Sequence, residues 1–134
     1  MKKEKEEIFK VFAQKAMKRL QEKKVRKFRT LYIPSMDENI KIRNLDYPEI
    51  VECTEIEDIN DPNKSDKYAI YLAVAEPELK EIAKQLKETG EIIEYTDVVD
   101  IFEMGEITDI AMEIMKLSGV IGAKKVKVVD ELKN

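Results

Sequence analysis

A chain of 134 residues, 43% hydrophobic and 39% charged, is long enough for one domain with its own core and too apolar to stay disordered. It holds no His, no Trp and a single Cys. The side chains that most often run chemistry near neutral pH are therefore missing, and Cys53 alone excludes an internal disulfide or a multi-cysteine metal site. The net charge of −4 hides a segregation: residues 1–29 carry twelve Lys/Arg against four Asp/Glu, and the remaining 105 carry twelve against 24. A basic arm on an acidic body points to an arm that meets something other than its own core, and to a binding protein before an enzyme.

The lone Cys suits a reducing cytoplasm, and no apolar run approaches the ~18–20 residues that cross a bilayer. The stretch Met1 to Glu7 lacks the apolar segment of a signal peptide. The expectation is a cytoplasmic protein that does not enter a membrane.

Taken in chain order, residues 1–24 form a basic helical arm, of which 4–24 read as an amphipathic helix. Ile8, Phe9, Phe12, Ala13, Ala16, Met17 and Leu20 recur at spacings of three and four, and Lys10, Lys15, Lys18 and Arg19 lie mostly outside that stripe. A single domain is expected over 25–134. It opens with a hairpin: Val25, Phe28 and Leu31 to Ile33 are strand-prone, Pro34 to Asn39 is turn chemistry, and Ile40 to Arg43 alternates. Asp46 is a helix N-cap, with Pro48 and Glu49 in the first turn and Ile50, Val51, Cys53 and Thr54 behind them.

The segment Glu57 to Asp66 is polar and punctuated, and reads as a surface loop. Tyr68 to Ala75 reads as a buried helix that Pro77 stops. The next helix runs from Glu78 to Thr89, with Leu79, Ile82, Ala83 and Leu86 facing inward and Gly90 in the left-handed cap position. Thr96 caps a short helix through Phe102, which Gly105 breaks. Glu106 to Leu117 is the clearest amphipathic helix of the body, closed by Ser118-Gly119. Residues 120–134 fit a helix through Val126, Val129 and Leu132, or a strand through Lys125 to Val128. The expected architecture is α+β: a small hairpin packed on a bundle of four to five short helices, with the arm appended.

Few residues are arranged for chemistry. The loop Asp58 to Asn63 has the oxygen density of a calcium site, yet an EF-hand starting at Asp58 needs Gly at Asn63 and a bidentate Glu at Ala69. It reads as an ordinary polar loop. With 28 acids in the chain, close carboxylate pairs arise by chance and none is marked as buried. Cys53 has no His to activate it and sits among apolar neighbours, so a structural thiol is expected. The four glycines form no phosphate-cradling motif. No catalytic residue, metal or cofactor is called for.

Two features remain for binding. Met104, Met112 and Met115 flank the stripe of the 106–117 helix; they either adapt to an irregular partner or fill ordinary gaps in the core. The arm is the stronger signal. Burying its two Phe, Ile8 and Leu20 gains roughly 6–12 kcal/mol, whereas ordering its backbone costs roughly 20–40 kcal/mol before helix hydrogen bonds offset part of that. A lone helix of this length is marginal in water. The stripe therefore needs a surface: its own domain, a second copy by self-association, or another protein. A membrane surface is a weaker outlet, because alanines interrupt the stripe and it has no Trp anchor.

Several pieces recur in a known order. Lys27-Phe28-Arg29-Thr30 and Ile40-Lys41-Ile42-Arg43 form a basic strand pair, and an acid-rich helix follows from Tyr47 to Cys53-Thr54. Tyr68 to Val74 leads to Pro77-Glu78-Leu79, Gly105-Glu106 opens the long helix, Ser118-Gly119 closes it, and Lys133-Asn134 ends the chain. From about Val25 to Asn134 this order resembles the XkdN-like family of phage tail assembly chaperones, from prophages and phage-tail-like elements of Gram-positive bacteria. Two departures stand out: the turn Ser35 to Asn39 lacks the family's Gly, and the family's Leu-Gln-rich segment is a more regular helix here, Lys80 to Lys87.

The resemblance implies a non-enzymatic chaperone that binds the tape measure protein, with the tail tube protein as a further partner. It would keep these helical, apolar-striped chains soluble until the tail is built. Phe9, Phe12, Ala16 and Leu20 on the arm and Met104, Met112 and Met115 on the body are the candidate contacts. A different class of function, a small regulatory nucleic-acid binder, would place Lys18, Arg19, Lys23, Lys24, Arg26, Lys27 and Arg29 on phosphates. The acidic body opposes it. An acid–base enzyme has no supporting constellation.

Overall fold

The computed structural model describes residues 2–122 and 126–130. Its elements run α1 (Lys2–Lys23), β1 (Phe28–Ile33), β2 (Glu38–Arg43), α2 (Tyr47–Thr54), α3 (Lys64–Ala73), β3 (Val74–Glu76), α4 (Leu79–Glu88), a 3-10 helix (Tyr95–Ile101) and α5 (Met104–Leu117). The class is α+β, an antiparallel hairpin packed on short helices with an N-terminal helix ahead of it.

The hairpin alternates as its residues require. Arg29, Leu31 and Ile33 share the inner face with Ile40 and Ile42 of β2, and Phe28, Thr30 and Tyr32 share the outer one. Asp37 closes the turn with φ of 50°, a left-handed position that Asp tolerates better than most residues, and the Tyr32 hydroxyl donates to its Oδ1 at 2.7 Å. That is how a turn without Gly is made here. β3 adds a third antiparallel strand along β2, with an irregularity at Lys41/Ile42, giving the order β1-β2-β3.

The inner face of the sheet packs on α5, and three polar ties set the two in register. Ser35 donates through N and Oγ to Glu106 at 2.9 and 2.6 Å, Arg29 meets Glu113 at 2.8 Å, and Leu45 N donates to Ser118 Oγ at 2.8 Å. α3 lies at the centre, against α5, α2, α4 and the 3-10 helix. The deepest side chains are Ile42, Ile70, Leu79, Val98, Val99 and Ile114, and among the described residues no polar or charged residue is buried. The core is dry.

Several boundaries differ from the sequence expectation, each for a physical reason. Val74 to Glu76 is a strand rather than the end of a buried helix, because β2 offers it an open edge. α3 begins at Lys64, inside the expected loop, where Lys64 and Lys67 bridge to Asp58, Asp61 and Asp100. Glu94, not Thr96, is the cap position of the next element, its N donating to Asp97 Oδ2 at 2.9 Å; the β-branched run Thr96, Val98, Val99 and Ile101 winds as a 3-10 helix. α5 starts at Met104 behind Glu103, so Gly105 lies inside its first turn instead of breaking the chain. β1 starts at Phe28 and leaves Val25 in the linker. Val126 to Val128 form neither helix nor strand, while Lys125 and residues 131–134, including Leu132 and Lys133-Asn134, lie outside the described residues.

Truncating a central side chain should cost far more than truncating the arm. Ile70→Ala is expected to lower unfolding free energy by about 2–5 kcal/mol, and Phe12→Ala by less than about 0.5 kcal/mol. Urea denaturation of the two variants measures both, and equal losses would contradict the burial described.

Candidate partner-binding surface

α1 is 22 residues, about 33 Å long, and none of its described residues is buried. Phe9 is 75% and Phe12 72% exposed, and Ile8, Ala16, Met17 and Leu20 are exposed with them. Large apolar side chains lined up on one helix face and left in water mark a contact surface more than a random surface does. Lys23 in the last turn suits the helix dipole, whereas Lys2, Lys3 and Lys5 outnumber Glu4 in the first.

The root of the arm is built by six residues. Past α1 the Arg26 guanidinium donates to the Asn44 carbonyl at 3.2 Å and to Glu49 Oε1 at 3.3 Å, with Asp46 at 3.4 Å. Lys27 N donates to Asn44 Oδ1 and Asn44 N donates back to the Lys27 carbonyl, both at 3.0 Å. Arg43 holds Glu49 through two bonds of 2.7 and 3.0 Å. Glu49 also completes the capping box of α2: Asp46 N donates to it, and its own N donates to Asp46 Oδ1. The Arg43 hydrogen bonds, helped by the Asp46 amide and the charge of Arg26, hold the Glu49 carboxyl down at about 2.

This geometry revises the phosphate-binding set. Arg26 is engaged with Asp46 and Glu49, and Arg29 with Glu113, so two of its seven cations serve the fold. The methionines also divide. Met104 is 73% and Met112 45% exposed, whereas Met115 is half-buried and packs against the core, a gap-filler rather than a contact. Phe9, Phe12, Ala16 and Leu20 share the open face of α1, and Met104 and Met112 lie on another element, about 12 Å apart along α5 by helix rise.

Groups with chemical potential are occupied structurally. Cys53 is buried on α2, and burial, with the charges of Glu49, Glu52 and Asp66, pushes its thiol up to about 11. The Tyr68 hydroxyl donates to Glu52 at 2.7 Å, which with burial pushes it up to about 12. In the 58–63 loop Asp58 accepts from Asn60 N and pairs with Lys64 at 3.3 Å, and Asp61 pairs with Lys67 at 3.0 Å. Among the described residues no three His, Cys, Asp or Glu side chains gather as a metal site, and no helix is long and apolar enough to cross a membrane.

The root of the arm is acid-sensitive. Because Glu49 titrates at about 2 when folded against 4.5 when free, its contribution is complete above about pH 4.5 and is lost as pH falls toward 2. Glu49→Gln should flatten the stability profile in that window, read as urea midpoints against pH; an unchanged slope would contradict the cluster. A thiol reagent at neutral pH should label Cys53 only as fast as the protein opens, and immediate labelling of the native protein would refute its burial.

No family model matches this chain, and no curated protein or solved structure matches it.

Proposed function

We propose that this chain is a phage tail assembly chaperone, a non-enzymatic cytoplasmic protein that shields the apolar stripes of the tape measure protein, and of the tail tube protein, until the tail is assembled. The observation that carries the reading is the uncovered apolar face of α1. Its Ile8, Phe9, Phe12, Met17 and Leu20 stand in water on one helix, which is the form of a helix-on-helix or helix-in-groove contact. The exposed Met104 and Met112 on α5 add an adaptable second surface.

Magnitudes favour a transient complex. Covering five such side chains contributes roughly 7–15 kcal/mol, and association opposes it with about 4–15 kcal/mol. The surplus is modest, which suits a chaperone that must leave before the tail is complete. The order of sequence pieces shared with the XkdN-like family supports the choice of client. The nucleic-acid reading is weaker, since Arg26 and Arg29 are paired with carboxylates and the body is acidic.

Coexpression with the tape measure protein tests the proposal. Soluble yield of that protein should rise with the wild-type chain, and Phe9→Glu with Phe12→Glu should abolish most of the gain. No change in soluble yield with the wild type would defeat the reading. Binding to DNA or RNA that weakens steeply with salt would favour the other class instead.

A further inference from the structure

The body carries an apolar cavity that the sequence did not announce. It lies between the hairpin turn, the β3–α4 junction and the end of the 3-10 helix, has a volume of about 150 Å³, and is lined chiefly by Ile33, Ile40, Val74, Leu79, Ile82 and Phe102. Met36 and Ile101, both half-exposed, stand at its mouth. A cavity of that size with aliphatic and aromatic walls takes up a benzene ring, so it fits the side chain of a Phe. Its surroundings are acidic. Glu38 lines it, and six more carboxylates adjoin the lining in sequence; Asp37, Glu76, Glu81 and Asp100 of these are engaged with Tyr32, Lys41, Lys84 and Lys67, which leaves Glu38, Glu78 and Glu103 as its acidic part, against Lys80.

The arm has the opposite character. α1 carries eight Lys/Arg against four Asp/Glu, and beyond Phe9 the balance is five against one. The cavity and the arm root lie at opposite ends of the hairpin, about 20 Å apart by strand rise. Arg26 and Lys27 are held on Asn44, Asp46 and Glu49, and α1 leaves that root with its apolar side chains exposed rather than laid on its own body. Pairing two arms would set positive charge on positive charge.

We propose that the arm of one copy docks on the body of a second copy, its Phe9–Phe12 pair seated at the acidic-rimmed cavity between the hairpin turn and the β3–α4 junction. The contact joins different surfaces on the two molecules, so each copy both donates an arm and accepts one. It covers the stripe while no client is present. The self-contact does not depend on which client the arm serves.

Sedimentation of the purified full chain tests it, without any tail protein. At low salt the wild type should run above its monomer mass of 15.6 kDa, and it should return toward monomer as salt rises. Phe9→Glu with Phe12→Glu should be monomeric, and so should Met36→Lys and, separately, Ile101→Lys. Both cavity-mouth side chains are half-exposed, so the fold is retained, which circular dichroism verifies for each variant. The decisive sample mixes the arm variant with either cavity variant: one intact arm and one intact cavity should restore a complex at twice the monomer mass. A wild type that stays monomeric at low salt, cavity variants that associate like wild type, or a mixture that stays monomeric would each overturn the proposal. A monomer would leave the chaperone reading to its own coexpression test.

Discussion

The carboxylate of Glu49 receives two guanidiniums and one backbone amide, and much of what this molecule presents to its surroundings follows from that junction. Arg43 brings the end of β2 to it, Asp46 brings the start of α2, and Arg26 brings the chain arriving from α1. An ion pair of this kind at the surface contributes little alone; a bidentate Arg–carboxylate pair within a small network contributes more. Its larger effect is geometric. By holding Arg26 and Lys27 against Asn44 and Asp46, it sets where the chain arriving from α1 joins the body.

Among the described residues, no buried side-chain nitrogen or oxygen lacks a hydrogen-bond partner. Sheet and helices enclose an apolar core, the 58–63 loop pairs its acids with Lys64 and Lys67, and Cys53 and Tyr68 have their reactive atoms tied into the packing. Exposed apolar side chains line one face of α1, and others stand singly on the body, Tyr47, Ile59, Ile93, Met104 and Val126 among them. A basic apolar helix on an acidic, pitted body is suited to contacts with polypeptides, whether client or second copy. Its moderate energy keeps such contacts reversible.

The parts legible in the sequence were those governed by local rules. Asp46 and Glu49 form a capping box three residues apart, Gly90 takes the left-handed φ of 79° after α4, and α5 buries Ile107, Ile110, Ala111 and Ile114 along its periodic stripe. What escaped depends on distant partners. Val74 to Glu76 continues an apolar helical pattern, and only pairing with β2 makes it a strand. The polar start of α3 looks like loop until Asp61 and Asp100 meet Lys67. Periodicity placed Met112 and Met115 on the same arc but could not tell that one faces water and the other the core. Nor could it show Arg26 meeting a carboxylate 23 residues away, which turned a presumed phosphate ligand into an anchor. The stripe on α1 was readable at once; that its own domain leaves it open was not.

Hydrogen exchange along residues 2–23, followed in dilute full-length protein with and without the tape measure protein, reaches the central claim most directly. An open helix that acts by covering another chain should exchange quickly when alone and gain protection centred on Phe9 to Leu20 in the complex, while the amides of α3 and α5 keep the protection they already have. Complex formation with no added protection on the arm, or an arm already as protected as the core in the dilute monomer, would contradict the account.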